Sequence, residues 1–269
     1  MWPKRGEILS DSEDENLDDS EDEFTPEDLP ENSDDSSSNE SDEEKESRTT
    51  CTSNQRKSSL KQYNPNKPNK WGYKIFVLCD DKGLIHNFEI HTGKIEPAPG
   101  KEDIGASGNI VLRLAGSIPT HHNYLLYLDN WFSSIKLMTI LHEDGIYALG
   151  TIRRDRIPGL KLPTEKELKR RGRGAYDEFR TSVGDGIKLR VVQWFDNKSV
   201  RVASTFCGAQ PVDAVHRFDR KQKTTIDVNR PNIIKQYNMF MGGVDLLDGL
   251  ISYYRISLRS RRWYLKLIS

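Results

Sequence analysis

Asp129, Asp245 and Asp248 are the carboxylates whose surroundings could do chemistry. Asp129 closes the apolar run NYLLYLD at 123–129, and a charge beside a buried strand needs a partner. At the carboxyl end of a central strand it would point into the crevice where α/β sheets place ligands. Asp245 and Asp248 stand at i and i+3, so on a helix they share one face. Hard cations such as Mg²⁺ take oxygen ligands from carboxylates, waters and phosphates. Two such ions can activate the attacking oxygen and stabilise the leaving one in phosphoryl transfer. A plainer role is open for each residue. Asp129 could cap the helix that follows, and Asp245 could answer the partial positive charge of a helix start after Gly243.

Basic residues form three clusters: Arg153, Arg154 and Arg156; then Lys166, Lys169, Arg170, Arg171 and Arg173; then Arg255, Arg259, Arg261 and Arg262. Residues 1–48 hold 20 acidic side chains against four basic ones, a net of −16, whereas the remainder holds 36 basic against 21 acidic, a net of +15. Any one cluster could be a solvated face. A basic body of that size favours contact with a phosphate backbone, which depends on charge and not on base sequence. Cys51, Cys79 and Cys207 are isolated, which argues against a disulfide framework or a structural zinc site and for reduced thiols inside a cell. No apolar run reaches the roughly 18 residues of a membrane span, and the first residues do not resemble a signal peptide.

The elements that must position these residues follow from pattern. Residues 6–48 are Asp, Glu, Ser and Asn with little to bury, so a disordered acidic tail over 1–55 is expected. WGYKIFVLC at 71–79 and LIHNFEIHTG at 84–93 predict a hairpin around Asp80–Gly83. Residues 97–108 read as loop, and 110–114 as a strand or a helix end. NYLLYLD, then SSIKLMTILHEDG, then IYALGTI predict strand, helix, strand, a crossover unit in a mixed or parallel sheet, with Ser133 or Ser134 as cap and Gly145 as stop. IKLRVVQWFD and KSVRVAST predict an antiparallel hairpin, and 210–231 reads as loop. Residues 232–240 read as helix. Beyond Gly242 and Gly243, the positions Val244, Leu247, Ile251, Tyr254 and Leu258 predict one apolar stripe, with Asp245 and Asp248 outside it. Trp71, Trp131 and Trp194 read as core.

YNPNKPNKWGYKIFVLC at 63–79, LYLDNWFSSIKLMTIL at 126–141, GTIR at 150–153 and YNMFMGGVDLLDGLISYYRISLRSRRWYLKLI at 237–268 together resemble the piggyBac family of transposases and transposase-derived proteins. The resemblance runs from about Arg56 to Ser269. It implies an α/β fold with a ribonuclease-H-like catalytic core, a mixed sheet with helices, containing a β-rich insertion at about 155–230. It also implies three aspartates that bind Mg²⁺ for strand cleavage and transfer. On that resemblance Asp129 matches the second catalytic aspartate, Asp245 the third, and Asp248 the aspartate that accompanies it. DNA would be contacted by Arg153, Arg154, Lys169, Arg170, Arg171, Arg173, Arg255, Arg259, Arg261 and Arg262.

The sequence departs from that pattern at the first aspartate. Upstream of Arg56 it reads SRTTCTSNQ, without an aspartate and too polar for a central strand. The core is therefore expected to be incomplete, and to close by altered pairing or through a homodimer or another partner. The function expected is DNA binding in the nucleus without strand transfer. The alternatives are a Mg²⁺-dependent transposase or nuclease in which an acidic-head residue replaces the lost aspartate, and a non-functional fragment or acidic-tail interaction protein.

Overall fold

The computed structural model describes the backbone of residues 7–9 and, in full, residues 60–63, 65, 71–157, 159–184, 186–219 and 223–254. In chain order the strands are β1 Glu7–Leu9, β2 Gln62–Tyr63, β3 Trp71–Gly72, β4 Ile75–Asp80 and β5 Ile85–Ile90. Helix α1 Ala106–Ala115, β6 Tyr124–Leu128, helix α2 Ile135–Glu143 and β7 Ile146–Thr151 follow, then a 3-10 turn at Arg154–Arg156 and helix α3 Glu165–Arg171. The chain continues with β8 Tyr176–Val183, β9 Ile187–Phe195, β10 Ser199–Ser204, β11 Asp213–Asp219, β12 Thr224–Arg230, α4 Asn232–Phe240 and α5 Gly243–Tyr253.

The fold is mixed α/β, built on an eight-stranded sheet in the order β5-β4-β1-β6-β7-β10-β9-β8. β6 and β7 are parallel, and α2 makes the crossover between them. Ser134 caps α2 by accepting from the Leu137 amide at 3.2 Å, and Gly145 ends it at φ +73°. Helices lie on both faces. Phe76, Leu78, Leu126, Leu128 and Ala148 pack with α1 and α2. Cys79, Tyr127 and Leu149 pack with Ile233, Ile234, Phe240 and Val244 of α4 and α5. Burial of Leu126, Tyr127 and Leu128 in sequence explains why β6 shows no polar alternation. β10, β9 and β8 extend the sheet beyond β7, so the strands at 176–204 belong to the same sheet.

The central place between β4 and β6 is taken by β1. Glu7 and Ile8 pair antiparallel with Asp80 and Cys79, while Glu7, Ile8 and Leu9 pair parallel with Leu126, Tyr127 and Leu128. These three residues come from the acidic segment whose composition predicts no regular structure. Strand pairing needs only main-chain groups, and β4 and β6 would otherwise present unpaired amides and carbonyls in mid-sheet. The remainder of that segment lies outside the described residues.

Four expectations need correction. The loop expected at 97–108 gives way at Ala106 to α1, whose second half holds 110–114, the helix end that the sequence left open. Residues 210–231 are not a loop, because β11 and β12 form a two-stranded antiparallel ribbon over 213–219 and 224–230. Apart from the buried Val228, its positions are exposed or half-buried with charge on both faces, so hydropathy gives a weak strand signal. Trp71 is 61 % exposed, its strand β3 pairing with β2 away from the core, whereas Trp194 is buried. The apolar stripe of α5 holds for Val244 and Leu247 only, since Ile251 and Tyr254 are exposed, and Leu258 lies outside the described residues.

Candidate functional site

The carboxylate end of the site starts where β6 stops. Asp129 follows Leu128 directly, and its Oδ1 accepts from the Asn130 amide at 2.6 Å. Its carbonyl accepts from the Phe132 and Ser133 amides at 3.1 and 3.2 Å and from the Ser133 hydroxyl at 3.0 Å. The turn is clamped from outside by Arg156, whose Nη1 donates to the carbonyls of Asn130, Trp131 and Ser133 at 2.8, 3.0 and 2.7 Å. Arg156 therefore supports the Asp129 turn and is not a member of a free basic cluster. Gly150, the register partner of Leu128 on β7, makes the close approach feasible. A Cβ there would stand 2.3 Å from Ser133 Oγ and 2.5 Å from the Leu128 carbonyl oxygen.

Strand alternation gives Asp129 the parity of Tyr127, whose ring packs at 5.2 Å from Phe240 of α4. Tyr237, on the same helix, feels the Asp129 carboxylate through space. Burial pushes the Tyr237 phenol up to about 12; the carboxylates of Asp129 and then Asp245 act in the same direction, and a hydrogen bond with Thr151 opposes them. Asp129 from the end of β6, Thr151 from the end of β7, Tyr237 from α4 and Asp245 from α5 thus share one neighbourhood. The structure brings Asp129 and Asp245 towards the same phenol.

Asp245 is exposed in the first turn of α5, where Gly242 supplies no side-chain cap, and Asp248 is exposed one turn further on. Asp129 serves its own turn and not the cap of α2, which Ser134 supplies, and Asp245 stands at the start of α5. Asp129, Asp245 and Asp248 offer only oxygen donors, the chemistry Mg²⁺ prefers. Among the described residues, however, no group of three or more His, Cys, Asp or Glu side chains is placed to hold a metal. That set does not make a complete site.

The predicted DNA contacts fall into different environments. Arg153 is half-buried after β7, and Arg154 is exposed with its Nη2 donating to the Leu162 carbonyl at 3.2 Å. Arg201 lies nearby; burial lowers its pKa, and Arg154 adds to that. Lys169, Arg170 and Arg171 form the exposed last turn of α3, which starts with a capping box between Thr164 and Glu167. Arg171 Nη1 also reaches Asp177 at 2.6 Å. Arg173 is half-buried, donating from Nε to Asp196 at 2.7 Å. Arg255, Arg259, Arg261 and Arg262 lie outside the described residues.

Tyr237, Thr151, Ser133 and Gly150 lie within the segments that carry the family resemblance, at 237–268, 150–153 and 126–141, but their residue types alone mark none of them as part of a site. Their role comes from the parallel register of β6 and β7 and from the way α4 crosses it.

The family described as Transposase IS4 matches residues 47–269. PiggyBac transposable element-derived protein 3 of Homo sapiens is 37% identical over 206 residues, covering 76% of this chain and 34% of that protein. PiggyBac transposable element-derived protein 2 of Homo sapiens is 32% identical over 209 residues, with the same two coverages of 76% and 34%. This chain thus spans about a third of the length of both relatives. A cryo-EM structure of the piggyBac transposase synaptic complex with hairpin DNA superposes with a TM-score of 0.55 at 26% identity, covering 78% of this chain and 40% of that one. The chain belongs to the Transposase IS4 family, as a piggyBac-type member.

Proposed function

We propose that this protein is a transposase-derived DNA-binding protein that contacts the phosphate backbone and does not carry out strand transfer. The observation that carries the proposal is the exposed basic last turn of α3, set in a body whose residues after 48 total +15. Similarity to a chain solved in a complex with hairpin DNA supports it. The order β5-β4-β1-β6-β7, antiparallel strands followed by a parallel crossover, supports a ribonuclease-H-like core. In that core Asp129 and Asp245 are the two carboxylates retained for a cation. Nuclear residence belongs to the same proposal.

Gel-shift titration of a DNA duplex across salt tests it. Contacts to several phosphates predict that log affinity falls linearly with log salt. Lys169→Glu with Arg170→Glu should weaken binding alike on unrelated sequences and lower the slope by about 1 per charge contact removed. Binding indifferent to salt, or none at low salt, rejects the proposal.

The approach of Asp129 and Asp245 to Tyr237 favours a second reading, a Mg²⁺-dependent nuclease or transposase. That reading requires Mg²⁺ or Mn²⁺ binding by calorimetry that Asp129→Ala and Asp245→Ala each abolish. A carboxylate of the acidic head acting as third ligand belongs to this reading too, and those residues lie outside the described ones.

A further inference from the structure

Both strands that flank β1 are longer than its described part. β4 has six residues and β6 five, yet β1 pairs with two of the first and three of the second. β1 also lies outside the family match, which begins at residue 47. The strand that completes the middle of the sheet is therefore tethered through residues 10–59, a stretch able to span on the order of 150 Å when extended. Its partnership with β4 and β6 is main-chain pairing, which is indifferent to whose chain supplies the strand. Head and body carry opposite charge, −16 over residues 1–48 and +15 beyond, so the head of one copy is attracted to the body of another.

We propose that the β4–β6 slot is a strand-acceptor site that takes Glu7–Leu9 from a second copy of this chain as well as from its own, giving a strand-exchanged dimer. Contacts in the two forms are the same, so the tether's effective concentration sets the balance. For a tether of this length that is on the order of 0.1 to 1 mM. Monomer dominates below that range and dimer rises through it.

The register supplies a direct test, because Ile8 is the partner of the native Cys79. Opposed Cα atoms in an antiparallel pair are close enough to be bridged by a disulfide. Two differently tagged full-length chains are prepared with Cys51→Ser and Cys207→Ser. One carries Ile8→Cys with Cys79→Ser, and the other keeps Ile8 and Cys79. After unfolding, mixing and refolding at rising concentration under mild oxidation, a disulfide between the two tags is expected, in a yield that grows with concentration. Adding Leu9→Pro to the first chain should remove it, since proline takes a donor out of the strand.

The absence of any link between tags, when a single chain carrying both Ile8→Cys and the native Cys79 closes its own link under the same oxidation, overturns the proposal. So does the absence of any link in chains whose circular dichroism shows them folded. If the substituted chains do not fold, sedimentation of the unaltered protein decides instead. Exchange requires a monomer–dimer equilibrium that Leu9→Pro abolishes, and a single monomeric species up to 1 mM, the top of the range set by the tether, rejects it.

Discussion

The crossover unit β6–α2–β7 and the ribbon β11–β12 solve the same problem, holding polar groups in place, by opposite means. In the crossover the polar groups sit among buried side chains. Ser133 is fully buried and Arg156 caps three carbonyls. In the ribbon the polar groups are paired in the open. Arg230 chelates Asp213 at 2.8 and 3.0 Å, and His216 pairs with Asp227 across the strands. Little can shift in the first region without a van der Waals clash or an orphaned carbonyl. Water can replace nearly every partner in the second, so its pairs contribute little and are screened by salt. A carboxylate meant to keep a fixed direction belongs in the first kind of region, and Asp129 is there.

The largest effect should come from removing the space at Gly150. Gly150→Ala forces a carbon against the Leu128 carbonyl and the Ser133 hydroxyl, and overpacking of this sort costs about 3 kcal/mol. Denaturant unfolding should show that loss, whereas Gly186→Ala, with nothing within 4 Å but a positive φ, should cost less. Equal losses at the two glycines would remove the contrast between a packed site and an open turn. Next comes Arg156→Ala, which leaves three carbonyls of the Asp129 turn without their charged donor. The cost should be about 2 kcal/mol, with amide exchange rising first at Phe132 and Ser133. All three bonds come from one guanidinium nitrogen, and a lysine ammonium also carries its donors on one nitrogen, so Arg156→Lys should recover part of the loss.

A subtler test asks whether Asp129 and Asp245 do converge. With its phenol held near 12, Tyr237 is stabilising in its neutral form. That contribution is complete below the ordinary phenol value of 10 and is lost as pH rises through about 12. Asp129→Asn should bring the Tyr237 titration down, Asp245→Asn should do so by less, and Thr151→Val should drive it up. Site-resolved NMR of ¹³C-labelled tyrosine reads each change. If neither asparagine moves the resonance, the two carboxylates are not neighbours of that phenol.

These differences also explain what could be read from the sequence. The crossover was legible because burial on both faces leaves an unbroken apolar run, and because Ser134 and Gly145 punctuate the helix between the strands. Asp129 was legible for the same reason, as the one charge at the end of that run. Arg156 was misjudged because a guanidinium bound to carbonyls and one facing solvent are the same letter. The ribbon was illegible because charged and polar residues recur on both of its strands, with Val215 opposite Val228 its one aliphatic pair, and such a ladder resembles a polar loop. β1 was illegible for a deeper reason. Three residues can complete a sheet by their backbone alone, and no side-chain pattern records that.

The smallest effect should be the response of the ribbon to acid. The Arg230 guanidinium, with help from Lys235, holds the Asp213 carboxyl well below the usual carboxylate range. A carboxyl depressed in the folded state contributes stability above its unfolded value, about 3.9, and loses that contribution as pH falls towards the folded one. Asp213 is partly exposed, so the contribution is modest and shrinks further in salt. Amide exchange of β11 and β12 should accelerate below about pH 4 while β6 and β7 keep their protection. Asp213→Asn should make ribbon exchange insensitive to that drop and leave the crossover unchanged. Loss of protection in both regions at the same pH would mean that the ribbon opens only with the whole sheet, and that its charge pairs are not an independent unit of stability.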